Sequence, residues 1–362
     1  MSPADPPPPS RREFLTGRAL TTRIERAGAE LADEIVDREP PPVPPSAGPT
    51  VRLETRAMAC EFAVLLNPGP GDQLLAASEA LDFVHALEDQ ITVYRQHSEM
   101  SRLNRTAAEG PVEVEPGLFD LLRECERLCR ETEGAFDPTS GPLIALWRAC
   151  RSEGRIPAES EIAAARERTG IAHVRLDGDR RTAAYLREDV ELNLGGIGKG
   201  YALDRLAAVL GDRGLSDFVV HAGYSSVLAR GGHRGRGGWP VGIANPLFLD
   251  EQFATIVLRD QALSTSGSGV RHFRHGGRRY GHILDPRTGW PAEGMLSVTV
   301  LAPTASLADA LSTAFFVMGV ENARRYCDNN PEVAALIFPP ATRGRTLEPV
   351  VLGIADEQLF WT

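Results

Sequence analysis

The sequence predicts an α+β fold, in which clustered strands are covered by packed helices and preceded by a proline-rich N-terminal segment. The first sign is a series of strand-like runs, "DFVVHAG", "SVLARG", "WPVGIAN" and "FATIVLRD", that follow one another with no helix between them. A regular βαβ alternation would interpose helices, so segregated elements are favoured. The second is helical periodicity on both sides of that series, in "GLFDLLRECERLCRETEG" and "SLADALSTAFFVMG". The third is proline density, since residues 1–50 hold 11 of the 27 prolines, in "DPPPPS" and "EPPPVPPSAGP". Proline at that density favours extended, solvated chain. Residues 1–50 are therefore expected to be disordered or partly helical, and residues 51–362 to form the folded body.

Taken in order, "VRLETRAMACEFAVLL" reads as extended, and the segment from Gly71 to Asn104 as mostly helical. In the next helix Leu118, Leu121, Leu122, Cys125, Leu128 and Cys129 share one face. The two cysteines could form a metal pair, but no His or further Cys nearby completes a site, and small core residues are the simpler reading. "HVRLDG", "RTAAYLRE" and "VELNL" read as short strands, and a helix is expected over Tyr201 to Leu210. "LSVTVLAP" is a further strand ahead of the helix "SLADALSTAFFVMG".

Composition excludes some functions. The 362 residues are 42% hydrophobic and carry a formal net charge of −10. A polyanionic nucleic acid is a poor partner for such a chain. No apolar run approaches the roughly 20 residues of a membrane-spanning helix. Five cysteines, an odd and scattered set, do not outline a disulfide framework. "SRREFLTG" (Ser10 to Gly17) is similar to a twin-arginine export signal, but the charged run that follows lacks an apolar h-region. Cytoplasmic and exported locations both stay open.

The stretch "ELNLGGIGKGYALD" (Glu191 to Asp204) holds glycines, a lysine and a helix start. It is not a P-loop: Asn193 stands where the first glycine belongs, and Gly200 where a hydroxyl should follow the lysine. A helix N-terminus with Lys199 beside it still suits an anion, and a plain strand-to-helix turn remains the alternative. "RHGGRR" reads as a basic hairpin tip, and "GHILDPRTGWP" places His282 next to turn residues. In "TASLADALSTAFFVMG", Asp309 and Thr313 lie one turn apart. They offer two hard oxygens suited to Mg²⁺. Ser306 and Asp309 also fit a capping pattern, which would make Asp309 a structural residue only.

Together these stretches resemble the ApbE family, the FAD:protein FMN transferases. The resemblance covers Val51 to Gly319, and its matching pieces run in order through "TRAMACEFAVLL", "ITVYRQHSEMSRLN", "EGAFDPTSGPLIALW", "ELNLGGIGKGYALD", "TSGSGVRHF", "GHILDPRTGWP" and "LADALSTAFFVMG". It implies an ApbE-like, T-fold-like arrangement of mixed sheets and helices. It also implies Mg²⁺-dependent transfer of FMN from FAD to a Thr or Ser of an acceptor protein, an electron-transfer protein and often a membrane-linked one, with AMP released. FAD contacts would fall on Met58, Tyr94, Ala135, Phe136, Asp137, Asn193, Lys199 and Ile283. The Gly196 carbonyl, Asp309 and Thr313 would hold the metal, and His282 would be the general base.

The chain departs from the family pattern at several positions. Ala59 and Cys60 follow Met58 where Gly-Thr is usual, and Asn193 replaces a carboxylate. Tyr224 stands where glycine is common, Ser268 where an Asp commonly follows Thr-Ser-Gly, and Gly281 where a second histidine often precedes His282. These changes keep two further readings open beside the transferase: a non-catalytic flavin-binding assembly factor and an Mg²⁺-dependent FAD pyrophosphatase.

Overall fold

The computed structural model describes residues 50–235, 237–268, 272–341 and 346–362. The expectations for residues 1–49, including the twin-arginine-like run and a short amphipathic helix, lie outside them. The chain enters through strands β1 (Val51–Ala57) and β2 (Cys60–Leu66), which pair antiparallel with Ala57 opposite Cys60. The continuous extended run expected from sequence is thus a hairpin closed by Met58 and Ala59 alone. Both residues have left-handed φ, 50° and 56°, as a tight primed turn demands. The N–H of Met58 donates to Glu88 Oε1 at 2.8 Å, which ties the turn to helix α1 (Asp72–Ile91).

An eight-stranded, fully antiparallel sheet forms the centre, in the order β1-β2-β6-β7-β10-β13-β14-β15. Here β6 is Phe218–Ala222, β7 Ser226–Arg230, β10 Ala262–Gly267, β13 Ser297–Ala302, β14 Ala334–Phe338 and β15 Val350–Leu352. Strand alternation separates two cores. Phe62, Val64, Phe218, Val220, Leu228, Val298, Val300, Ala335 and Ile337 face the helices. Their neighbours Val219, Val227, Ala229, Leu263, Leu301, Leu336 and Phe338 face the opposite way. There they meet a small sheet of β8 (Trp239–Ala244), β9 (Gln252–Leu258) and β16 (Leu359–Trp361), through Trp239, Ile243, Ala254, Ile256 and Leu258.

On the first face lie α6 (Gly198–Asp212) and α7 (Ala305–Asn329), which contact each other and the central strands. α7 is interrupted at Gly319, whose φ of 81° and ψ of 174° leave helical space. The helical pattern read from sequence ends at that residue, as expected. Around this core sit α2 (Glu99–Thr106), α3 (Pro116–Glu131), α4 (Gly141–Ser152) and α5 (Glu159–Arg166), with a three-stranded sheet of β3 (Val112–Glu113), β5 (Thr182–Tyr185) and β4 (Val174–Asp177). Cys125 and Cys129 of α3 are both buried as part of its apolar face. Burial pushes both thiols well above their ordinary range.

A second hairpin, β11 (His272–His275) and β12 (Arg278–Gly281), turns at Gly276 and Gly277, both with positive φ. This is the hairpin expected at "RHGGRR". It rests on Trp147 of α4 through Phe273 and Tyr280, whose ring centroids lie 6.1 and 5.8 Å from the indole. "VELNL" is not a strand. The side chain of Asn104 takes its place in the bonding, donating to the Leu192 carbonyl and accepting the Leu192 N–H, both at 2.9 Å. The N–H of Asn193 goes to the Pro138 carbonyl at 2.7 Å. With its backbone satisfied in this way the segment has no need of a ladder.

Ala59 carries a Cβ in left-handed space, a strain of about 1 kcal/mol that glycine avoids. Ala59→Gly is therefore expected to stabilise the fold by about that amount. The midpoint of urea unfolding checks this, and an unchanged or lower midpoint would contradict it.

Candidate active site

The site grows from the crossing of α6 and α7. Asp309, in the second turn of α7, is only 4% exposed. A buried carboxylate needs donors to replace water, and three elements supply them. Ser226 Oγ of β7 and Ser264 Oγ of β10 donate to Oδ1 at 3.2 and 2.9 Å. The N–H of Gly200 donates to Oδ2 at 3.1 Å, and Lys199 Nζ bridges both oxygens at 3.3 and 3.4 Å. Both serines lie on the helix-facing side of their strands, as polar breaks in an otherwise apolar surface.

Gly200 of "ELNLGGIGKGYALD" is dictated by this crossing. A Cβ on Gly200 would lie 2.1 Å from the carbonyl oxygen of Ala305 and 2.7 Å from the Cα of Ser306. No hydroxyl-bearing residue fits there, which is the physical reason the stretch is not a P-loop. A Cβ on Gly196 would meet Phe136 at 3.4 Å and the Thr313 hydroxyl at 3.7 Å. The structure therefore brings Gly196, Lys199, Asp309 and Thr313 together, with Phe136 beside them.

The capping role considered for Asp309 is not what the structure has. Thr304 is the N-cap of α7, and its side chain accepts the N–H of Leu307 at 3.3 Å. Asp204 of α6 accepts the N–H groups of Ala305 and Ser306 at 2.7 and 2.8 Å. Burial raises the Asp204 carboxyl above its ordinary range, while those two N–H bonds pull it down. With the helix start served from elsewhere, Asp309 is left to face the serines and the lysine.

The oxygen set suits a hard divalent cation. Among the described residues no group of three His, Cys, Asp or Glu side chains could hold a metal. A cation here would use the single Asp309 carboxylate with hydroxyl and carbonyl oxygens, leaving positions for water and substrate, which is the habit of Mg²⁺. Thr313 Oγ1 lies 3.3 Å from Ser266 Oγ, which itself lies 2.9 Å from Ser312 Oγ, so the hydroxyls form a connected row.

The other expected contacts spread outward from this point. Ala135 and Phe136 are buried. Asp137 accepts the N–H and hydroxyl of Thr139 at 2.8 and 2.5 Å, and burial raises its pKa against those bonds. Asn193 Oδ1 accepts the Gly195 N–H at 2.9 Å. That bond needs only an acceptor oxygen, so amide and carboxylate serve it alike. Ile283 is buried in the main core, while its neighbour His282 is exposed, on the segment that leaves β12. Asp285 stabilises the turn beyond it, accepting the N–H groups of Gly289 through its carbonyl and of Arg287 through its side chain.

Tyr94 is exposed, and the Arg148 guanidinium lies 5.2 Å from its ring centroid. It lines a cavity of about 540 Å³ together with Asn104, Arg105, Arg168, Asp189 and Glu191. Burial raises the Glu191 carboxyl, against the nearby charges of Arg148 and Arg168. The residues around the cavity do not include Asp309, Thr313 or His282. One segment nevertheless connects the two places, since Glu191 and Gly196 are five residues apart, at most about 18 Å of chain.

Sequence reasoning missed Ser226, Ser264, Asp204 and Asn104. A signal existed for the serines: each falls at an inward position of an alternating strand, where an apolar residue is the default. Asp204 and Asn104 gave none, because their partners are backbone groups about 100 and 88 residues away.

Comparison with known proteins gives one answer throughout. The ApbE family model matches residues 53–337. The FAD:protein FMN transferase of Vibrio cholerae is 32% identical over 270 residues, 73% of this chain and 79% of that protein. The protein of the same name from Escherichia coli K12 is 30% identical over 315 residues, 84% of this chain and 88% of its own. Among solved structures, the ApbE protein of Thermotoga maritima superposes with a TM-score of 0.74 at 31% identity, covering 83% of this chain and 96% of that one. The flavin transferase ApbE of Vibrio cholerae gives 0.74 at 28%, covering 86% and 100%.

The close approach at Gly200 yields a test. Gly200→Ala must drive α6 away from α7 and is expected to cost about 1–3 kcal/mol. It should also lengthen the Gly200 to Asp309 bond. Chemical denaturation reads the loss, and wild-type stability would contradict the crossing described above.

Proposed function

The chain belongs to the ApbE family, and from that premise we propose that it transfers FMN from FAD to a Thr or Ser hydroxyl of an acceptor protein. Family membership makes it a flavin transferase, with FAD as flavin donor and a protein as acceptor. The finer reading is that Mg²⁺ is required, that the bond formed is a phosphoester, that AMP leaves, and that the acceptor is an electron-transfer protein. The observation that carries it is the buried Asp309 carboxylate, gathered with Lys199, Thr313 and the Gly196 backbone at the start of α6.

In this reading Asp309, Thr313 and the Gly196 carbonyl hold the cation. Bound Mg²⁺ would supply charge neutralisation at the pyrophosphate oxygens. Ser226, Ser264 and the Gly200 N–H fix the carboxylate so that its geometry does not depend on the ligand. Lys199, about a quarter exposed, places a positive charge at the edge of the same site. Asn193 keeps the glycine turn in shape. Tyr94 and the cavity beside it take the flat rings of FAD, and Met58, Ala135, Phe136, Asp137 and Ile283 contribute contacts outside that cavity. His282, open to solvent, accepts the proton of the incoming hydroxyl. The hydroxyl oxygen bonds to the FMN phosphorus as the bond from that phosphorus to the AMP oxygen breaks.

The departures from the family pattern are compatible with catalysis. Ala59 sits in the hairpin turn, Asn193 makes a bond that an amide oxygen satisfies, and Ser268 donates to the Leu296 carbonyl at 3.3 Å. None of these three removes a group from the Asp309 cluster. FAD hydrolysis is the second reading, favoured by one fact: the exposure of His282 lets water reach the position of the acceptor hydroxyl.

The test is to incubate the purified protein with FAD, with and without Mg²⁺, and follow AMP, FMN and the mass of a flavoprotein acceptor. Covalent flavin on the acceptor supports transfer, and free FMN in its presence supports hydrolysis. Asp309→Asn keeps the shape of the side chain but removes its charge. Mg²⁺-dependent AMP release should fall by about a hundredfold or more. Unchanged turnover at the same Mg²⁺ concentration would sink the metal assignment.

A further inference from the structure

Residues 271–282, "RHFRHGGRRYGH", hold four arginines and three histidines and no acidic residue, in a chain of net charge −10. The register of the hairpin formed by residues 272–281 is unusual. Arg274 stands directly opposite Arg279, and His275 opposite Arg278. Like charges facing each other across a strand pair destabilise it.

The two faces of the hairpin have different partners. Phe273, His275, Arg278 and Tyr280 share the face that rests on the protein body. Phe273 and Tyr280 stack at 5.3 Å beside Trp147, and His275 Nδ1 bonds the Gly154 carbonyl at 2.9 Å. Arg278 pairs with Glu293 at 2.6 Å and lies over the Tyr280 ring. Arg274 and Arg279 alternate onto the other face, where both are exposed. Arg279 also donates to the Ser268 carbonyl at 2.9 Å, which fixes its position. From Arg279 the strand runs three residues to His282, about 10 Å of chain.

We propose that this outer face is a docking surface for an acidic stretch of the acceptor protein, received by the Arg274 and Arg279 guanidiniums so that a neighbouring Thr or Ser hydroxyl reaches His282. The proposal rests on the transferase reading for its purpose but not for its test. A planar guanidinium pair matches carboxylates bidentately. The acidic surface of the rest of the chain repels the same segment elsewhere, and so directs it to the hairpin. The acidic side chains should lie within about 10 Å of the modified hydroxyl, the span of the strand between Arg279 and His282.

The probes are two fluorescein-labelled synthetic peptides, each with one central threonine. One carries three glutamates in the four residues preceding it, and the other carries glutamines at those positions. Anisotropy with the full-length protein, in the absence of FAD, should show the glutamate peptide binding about five- to tenfold more tightly at low salt. The difference should shrink as salt is raised. Arg274→Glu should abolish it and leave acceptor-free AMP release from FAD unchanged. Its melting temperature should match or exceed that of the wild type, since a glutamate opposite Arg279 relieves the like-charge pair. A third peptide with lysines in place of the glutamates should then prefer the variant.

Equal binding of the glutamate and glutamine peptides, or no measurable binding of either, overturns the proposal. So does an Arg274→Glu variant that still prefers glutamate. A raised KM for FAD in that variant would assign the guanidiniums to FAD instead. Binding of an oligothymidylate as tight as that of the glutamate peptide would make the face a general polyanion patch. If the glutamate peptide binds as expected but gains no flavin mass when FAD and Mg²⁺ are added, docking stands and the transferase reading is what fails.

Discussion

One buried negative charge organises the centre of this molecule. The Asp309 carboxylate is withdrawn from water at the point where α6, α7 and the central sheet meet, and it must be compensated there. Removing one partner of such a charge typically costs about 3–5 kcal/mol, because the other is left buried and unmatched. The compensation comes from three separate elements: a lysine and a backbone N–H at the start of α6, one serine from β7 and another from β10. Each must sit at hydrogen-bonding distance. The approach of the two helices is therefore as close as a glycine at position 200 permits, and Asp204 has to serve the start of α7. The electrostatic demand of a single side chain thus reaches into helix crossing, strand composition and helix capping.

The same demand explains why the sheet is polar where it is. Its helix-facing surface is aliphatic and aromatic from Phe62 to Ile337. It is broken where Ser226, Ser264 and Ser266 pass beneath α7. A hydroxyl under a helix is costly unless bonded, and each of these is bonded to Asp309 or to the hydroxyl row that ends at Thr313. On the opposite surface, where no charge has to be matched, the residues between the two sheets are mainly apolar, and the buried Thr299 hydroxyl is satisfied by Thr265 at 2.8 Å.

Much of this was legible in the sequence, and the limits have physical reasons. Period-2 and period-3.6 patterns located β6, β7 and β13 of the central sheet and the helices α6 and α7, because those elements each bury one regular face, whereas β10, β14 and β15 were not read as strands. The Asp309 and Thr313 pair was visible because both lie on one helix, one turn apart. The hairpin at Gly276 and Gly277 was visible because glycine pairs announce primed turns. The turn at Met58 and Ala59 was not, since neither residue type favours left-handed space, and the strands on either side read as one. "VELNL" read as a strand because its composition is that of one, whereas its backbone partners are an asparagine side chain and a loop carbonyl. The choice between cap and ligand for Asp309 could not be made locally. The cap was excluded by Thr304 and by Asp204, which serves the start of α7 from 105 residues before Asp309.

The segment from Asp189 to Lys199 gives the site its coherence. Its first part walls the cavity beside Tyr94, and its last residue bridges the Asp309 carboxylate. Between these ends it has no regular structure, yet it is held at Leu192 by Asn104, at Asn193 by Pro138 and at Gly195 by the Asn193 side chain. Each clamp fixes a backbone group, while the side chains of Val190, Leu192, Leu194 and Ile197 anchor the segment in the main core. Asn104 is itself fixed through the Tyr185 hydroxyl, which donates to its Oδ1 at 2.7 Å. A ligand with rings at one end and phosphates at the other would be gripped along a single rigid strip. The spacing between its two grips is then set by covalent chain length and four hydrogen bonds, not by the packing of separate domains. That is how an irregular stretch can be held in register with the Asp309 carboxylate without belonging to a sheet.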